Sequence, residues 1–141
     1  MFLSIILSLL FFVLGGLHVY WFFGGEFGFA ASLPTNEQGE RVVKPKKLDC
    51  IMVGVGLIFF GLFYLMKSGL VEPLLPVWML RYGGWFIASI FLLRAVGDFR
   101  YVGFFKKINH TAFAKRDTTF FSPLCMLICV LGIGIQLLPT P

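Results

Sequence analysis

The chain has 141 residues, 58% of them hydrophobic and only 13% charged, and its mean hydropathy is +0.88. A soluble domain carries roughly 25% charged residues. The composition therefore excludes a disordered tail, a basic nucleic-acid-binding domain and a secreted disulfide scaffold, and leaves a small all-α integral membrane protein. The net charge of +5 then belongs to basic loops beside a membrane, with no nucleic acid expected as partner.

Four apolar stretches are long enough to cross a bilayer, which takes about 20 helical residues. In hydrocarbon the backbone must satisfy its own hydrogen bonds, so these stretches are expected as helices in a single four-helix domain over residues 1–141. The first covers residues 2–23 and holds no charge. It lacks the basic start of a signal peptide and outruns the roughly 7–15 apolar residues of one, so it is expected to stay as a span.

A polar connection follows, with Leu33-Pro34-Thr35-Asn36-Glu37-Gln38-Gly39-Glu40 reading as a solvated loop. The second span covers residues 48–66, with Asp49 at its mouth. Glu72-Pro73 and Pro76 make the next connection a short turn. The third span covers residues 77–95, with Arg81 and Arg94 near its ends.

Between the third and fourth spans, Phe99 to Lys107 interleaves aromatics with cations. Such a segment is expected at the lipid interface, its rings among the headgroups and its cations toward anionic lipid. The fourth span covers residues 119–138. Its start is open between Ser122-Pro123, read as cap and first helical residue, and a position near Thr118. Asp117 is expected as a helix cap.

Lysine and arginine set the expected orientation. Residues 24–47 hold four of them and residues 94–119 hold six, against Lys67 and Arg81 elsewhere. Both long connections are then cytoplasmic and both termini outside.

Polar residues in or near a span need a reason. His18 lies about one turn from the inner end of the first span and shares a face with Trp21 and Gly15. It is read either as part of an aromatic belt or as a ligand-binding or proton-handling group. Arg94 and Asp98 stand at i, i+4 and are expected to pair along one face. Arg100 follows, and with Arg94 it could hold an anionic headgroup. Cys50, Cys125 and Cys129 show no metal-ligand spacing, so no metal or cofactor is expected.

By this topology His18, Trp21, Asp49, Arg94, Asp98, Arg100 and Asp117 fall at one end of the bundle. The candidate polar site is His18, Trp21, Arg94, Asp98, Arg100 and Asp117, with Gly15 and Gly97 expected to let the first and third helices approach.

Three blocks of sequence carry a resemblance. They are His18-Val19-Tyr20-Trp21 with Gly24-Gly25, the run Arg94-Ala95-Val96-Gly97-Asp98-Phe99-Arg100-Tyr101-Val102-Gly103-Phe104-Phe105-Lys106, and Thr111 to Cys125 around Asp117-Thr118 and Ser122-Pro123. They resemble a domain-of-unknown-function family of small bacterial membrane proteins with four helices. Members often carry tyrosine where this chain has Phe121. The resemblance implies a bacterial cytoplasmic membrane and brings no activity with it.

The leading functional expectation is a membrane protein that binds a lipid or other amphiphile at the inner leaflet, with membrane lipids as partners and room for a homo-oligomer. The alternative is a membrane-embedded enzyme on an amphiphilic substrate, with His18 as acid/base, Asp98 or Asp117 as orienting carboxylate and Arg94 and Arg100 as clamp. A small transporter comes third, because no ionisable residue stands near the middle of a span.

Overall fold

A computed structural model describes residues 1–42 and 44–139. Those residues form four helices long and apolar enough to cross a membrane, and no strand. They are α1 (Phe2–Phe22), α2 (Lys47–Lys67), α3 (Val77–Val96) and α4 (Ala112–Leu137). A short 3-10 turn, Ala30–Ser32, lies in the first connection.

The helices form two pairs, α1 against α2 and α3 against α4. Each pair is adjacent in sequence. The pairs meet in a core where the ring of Phe11 (α1) stacks on Tyr64 (α2) at 5.8 Å and tilts against Phe91 (α3) at 5.4 Å. Ile128 and Cys129 of α4 close the same cluster. Lipid tails are as apolar as leucine, so packing and interhelical hydrogen bonds must hold such helices together. Ser8 Oγ supplies one, donating to the Gly61 carbonyl at 2.7 Å.

Within the first pair the helices approach closely at Gly15 and Gly54. A Cβ on Gly15 would lie 2.8 Å from Ile58 Cγ1 and 3.0 Å from the Gly54 oxygen, and one on Gly54 would lie 3.1 Å from His18 Cβ. Gly15 therefore seats α1 on α2, not on α3 as the sequence suggests, and brings the His18 turn against α2.

The fourth helix begins earlier than the sequence suggests. Thr111 caps it, accepting from the Ala114 amide at 3.0 Å, and Asp117 lies inside the helix. Residues Asp117–Phe121 are a π-helical turn leading into Pro123. A proline lacks the amide for its i−4 carbonyl and clashes with it, and the wider turn absorbs that defect.

The connection from α3 to α4 folds back on itself. Gly97 ends α3 at φ +83°, and Gly103 follows at φ +91°. A Cβ on either would collide with the opposite backbone at 1.8 Å from Val102 O or 2.3 Å from Val96 O. The Phe104 amide then returns to the Ala95 carbonyl at 2.8 Å. Phe99 and Phe105 point outward from this hook. Lys106 does not: it turns inward and is buried, against the expectation that the segment's cations face lipid headgroups.

Candidate functional site

The buried carboxylate of Asp117 is the centre of the polar end of the bundle. The π-helical turn aims it inward, where it is fully buried. Its Oδ1 accepts from Arg94 Nη2 at 3.2 Å, and its Oδ2 accepts from Lys106 Nζ at 3.2 Å and from the Gly103 amide at 2.7 Å. Lys106 Nζ also donates to the Gly103 carbonyl at 2.9 Å and to Thr118 Oγ1. Its three protons are thereby all engaged. A buried charge is tolerable only when paired and hydrogen-bonded in this way.

Arg94 consequently pairs with Asp117 and not with Asp98. The expected i, i+4 partnership fails because the helix stops at Val96 and the left-handed Gly97 carries Asp98 off the helix face. Asp98 instead ties the hook. Its Oδ1 accepts from the amides of Arg100, Tyr101 and Val102 at 2.9, 2.8 and 3.1 Å. Its slight burial pushes the carboxyl pKa up, but these backbone amides outweigh that and hold it below the ordinary carboxylate value. Arg100 lies outside the cluster, its guanidinium over the Tyr101 ring at 5.0 Å.

Beside the Arg94–Asp117 pair opens a cavity of about 620 Å³ with mainly apolar walls, lined from all four helices and the first connection. Its polar lining includes His18, Trp21, Asp49 and Arg94, and Cys50 and Cys125 reach it from α2 and α4. His18 Nδ1 lies 2.8 Å from the Leu14 carbonyl. A carbonyl only accepts, so Nδ1 carries the proton and Nε2 is left as the available ring nitrogen. The ring stands edge-on to Trp21 at 4.8 Å between centroids. Trp21 Nε1 donates to the Phe27 carbonyl at 2.8 Å, which pins the first connection over the cavity. Asp49 is exposed at the mouth and caps α2 through the Lys46 amide at 2.7 Å.

Of the six expected site residues, the structure brings His18, Trp21 and Arg94 to one cavity and puts Asp117 behind Arg94. Asp98 and Arg100 are in the exposed part of the hook. No hydrogen bond or ion pair joins His18 to the hook among the described residues. Lys106 is the member of the Asp117 cluster that sequence reasoning misplaced. Its one signal is the pair Gly97 and Gly103, six residues apart, which permits a backbone crossing just before it.

No curated protein and no solved structure matches the chain. The family described as Protein of unknown function (DUF3995) matches residues 11–132, a stretch that includes every residue of the cavity's polar lining and the Asp117 cluster. The chain belongs to that family.

Proposed function

We propose that the protein binds an amphiphile in the cavity between its two helix pairs, in the bacterial cytoplasmic membrane and at the inner leaflet. The carrying observation is the cavity itself. Its walls are mainly apolar and its polar groups are few and gathered at one end, the composition of a ligand site for a molecule with a tail and a head. Roughly 300–1,000 Å³ is usual for such sites. Taking about 30 Å³ for a water-sized group, about 620 Å³ is room for one alkyl chain and part of a head.

The placement at the inner leaflet follows from charge. Residues 24–47 and 94–119, at the cavity end, hold four and six of the twelve lysines and arginines, which supports a cytoplasmic position for that end and an outside position for both termini.

Native mass spectrometry of the protein released from its membrane tests the reading. The expected result is a bound mass in the range of single-chain lipids that is lost in Leu124→Trp, which fills the cavity from α4. A cavity that carries no such mass, with Leu124→Trp indistinguishable from the parent, would defeat it. A cysteine at Asn36 should resist membrane-impermeant reagents in intact cells, in a background without the native cysteines. Labelling there from outside would reverse the orientation.

The enzyme alternative rests on one observation. His18 Nε2 has no partner among the described residues and its ring lines the cavity, the position of a group that could move a proton to or from a bound head. Conversion of a bound amphiphile that stops in His18→Ala, with binding retained, would favour it.

A further inference from the structure

We infer that the ligand's head is an anion, a carboxylate or phosphate monoester, and that Arg94 is its receptor. The inference rests on the amphiphile reading above. It starts from an imbalance: one buried carboxylate, Asp117, is shared by two cations, Lys106 and Arg94. The two are not equally satisfied. Lys106 is 7% exposed and has an acceptor for each of its protons. Arg94 has a single bond, from Nη2 to Asp117 at 3.2 Å, and its buried Nη1 has no partner among the described residues. A guanidinium carries five donors in a fork that fits two oxygens at once.

If Arg94 turned away, Lys106 and the Gly103 amide would still hold Asp117 at Oδ2, while Oδ1 would give up its bond from Arg94, a loss the incoming anion's bonds to the guanidinium must exceed. Lys106 keeps the charge neutralised. Arg94 is the half of the pair that faces the cavity, with about a third of its side chain accessible (35%). Rotation of the guanidinium toward an incoming anion then exchanges one long bond for two charge-assisted ones in a place of low dielectric. Asp117 is the positioning residue: it holds the fork at the wall until an anion arrives.

The other charged groups near the cavity do not cancel this. Asp49 stands exposed at the mouth, where water screens it, and its carboxylate is tied to the start of α2 beside Lys46 and Lys47. His18 lines the same space, and its Nε2 is an acceptor when the ring is neutral and a donor when it is protonated. Arg100 is engaged on Tyr101 and takes no part.

The test uses the full chain in phosphatidylcholine nanodiscs, with four probes sharing one palmitoyl chain. They are palmitate, palmitoyl lysophosphatidate, monopalmitoylglycerol and lysophosphatidylcholine. The expected result is that one or both of the first two bind at least about tenfold more tightly than the neutral glycerol ester, as a charged hydrogen bond supplies. Palmitate favoured over lysophosphatidate identifies a carboxylate ligand, and the reverse a phosphate. Arg94→Gln should abolish the preference and Arg94→Lys, which keeps the charge beside Asp117, should retain part of it. If all four probes bind alike and Arg94→Gln changes nothing, the anion inference is overturned while the amphiphile reading stands. If Arg94→Gln does not fold, equal binding of the four probes to the parent and to Arg94→Lys overturns it just the same. If none binds to the parent, the amphiphile reading itself has failed.

Discussion

The two ends of the bundle hold similar residue types and use them differently. At the end formed by Lys67, the turn after it and the start of α3, each cation is used locally. Lys67 Nζ donates to the Leu80 carbonyl at 2.9 Å, and the Arg81 guanidinium lies over Tyr82 at 5.7 Å. Gln136 of α4 reaches the Arg81 carbonyl at 2.7 Å. These contacts tie neighbouring helices together. At the other end, cations from α3 and from the hook converge on a carboxylate of α4, beside a cavity. The difference shows what a buried charge implies that an exposed one does not. Helix ends can be finished with carbonyls and water, whereas a fully buried aspartate requires cations delivered from separate segments, and one of those cations is left facing open space.

The most damaging way to break this contrast is Asp117→Ala. It leaves two cations at the core of the polar end without a counter-charge, and removing one member of a buried pair typically costs about 3–5 kcal/mol. Thermal unfolding in detergent should show a large drop in Tm, and an unchanged Tm would refute a structural role for the cluster. Asp117→Asn should come close behind, because the amide keeps the shape and loses the charge.

A middle-sized effect belongs to Asp98, which has no ion pair among the described residues yet collects three amides of the hook. Asp98→Ala should cost on the order of 1 kcal/mol, as loss of a side-chain cap does. The pH dependence has a definite sign. A carboxyl held below its ordinary value of 3.8 stabilises the fold above that value, and the contribution is lost as pH falls through the folded-state pKa. The acid limb of a stability profile, below about pH 4, should therefore flatten in Asp98→Asn. An unaltered limb would mean that other carboxylates set it.

The smallest effect sharpens the contrast from the opposite end. Lys67→Met removes one hydrogen bond to a carbonyl in a partly solvated place, and should change stability by about 1 kcal/mol or less. Equal losses for Lys67→Met and Asp117→Ala would erase the distinction between the two ends.

The four long helices were legible because each is apolar over the length a membrane crossing takes, and hydropathy reads that directly. The first three helices differ from the sequence reading by one residue at each altered boundary. The fourth was misread at its start, where Asp117-Thr118-Thr119 looks like a cap. The π-helical turn before Pro123 lets the helix run on through residues that otherwise stop one. In the site, His18, Trp21 and Arg94 were legible because a polar group at that depth is conspicuous. The partners were not. Asp98 and Asp117 exchanged roles because a single positive-φ glycine decides which of them lies near Arg94. Lys106 could not be told from Lys107, Lys115 and Arg116, since burial of one cation in a run is set by where the backbone crosses and not by composition.

The pairing of α1 with α2 and of α3 with α4 also has a consequence for biosynthesis. Each pair is a hairpin whose halves emerge from the ribosome one after the other, so each can form before the chain is finished. The cavity exists only when the second hairpin docks on the first. The Asp117 carboxylate belongs to α4, and when that helix is made Arg94 and Lys106 have already been synthesised to receive it. A gene cut within the turn of residues 68–76 should therefore yield two membrane-inserted halves that reunite when made together. Only the second half carries the Arg94–Lys106–Asp117 cluster, and only the reunited pair encloses the space beside it.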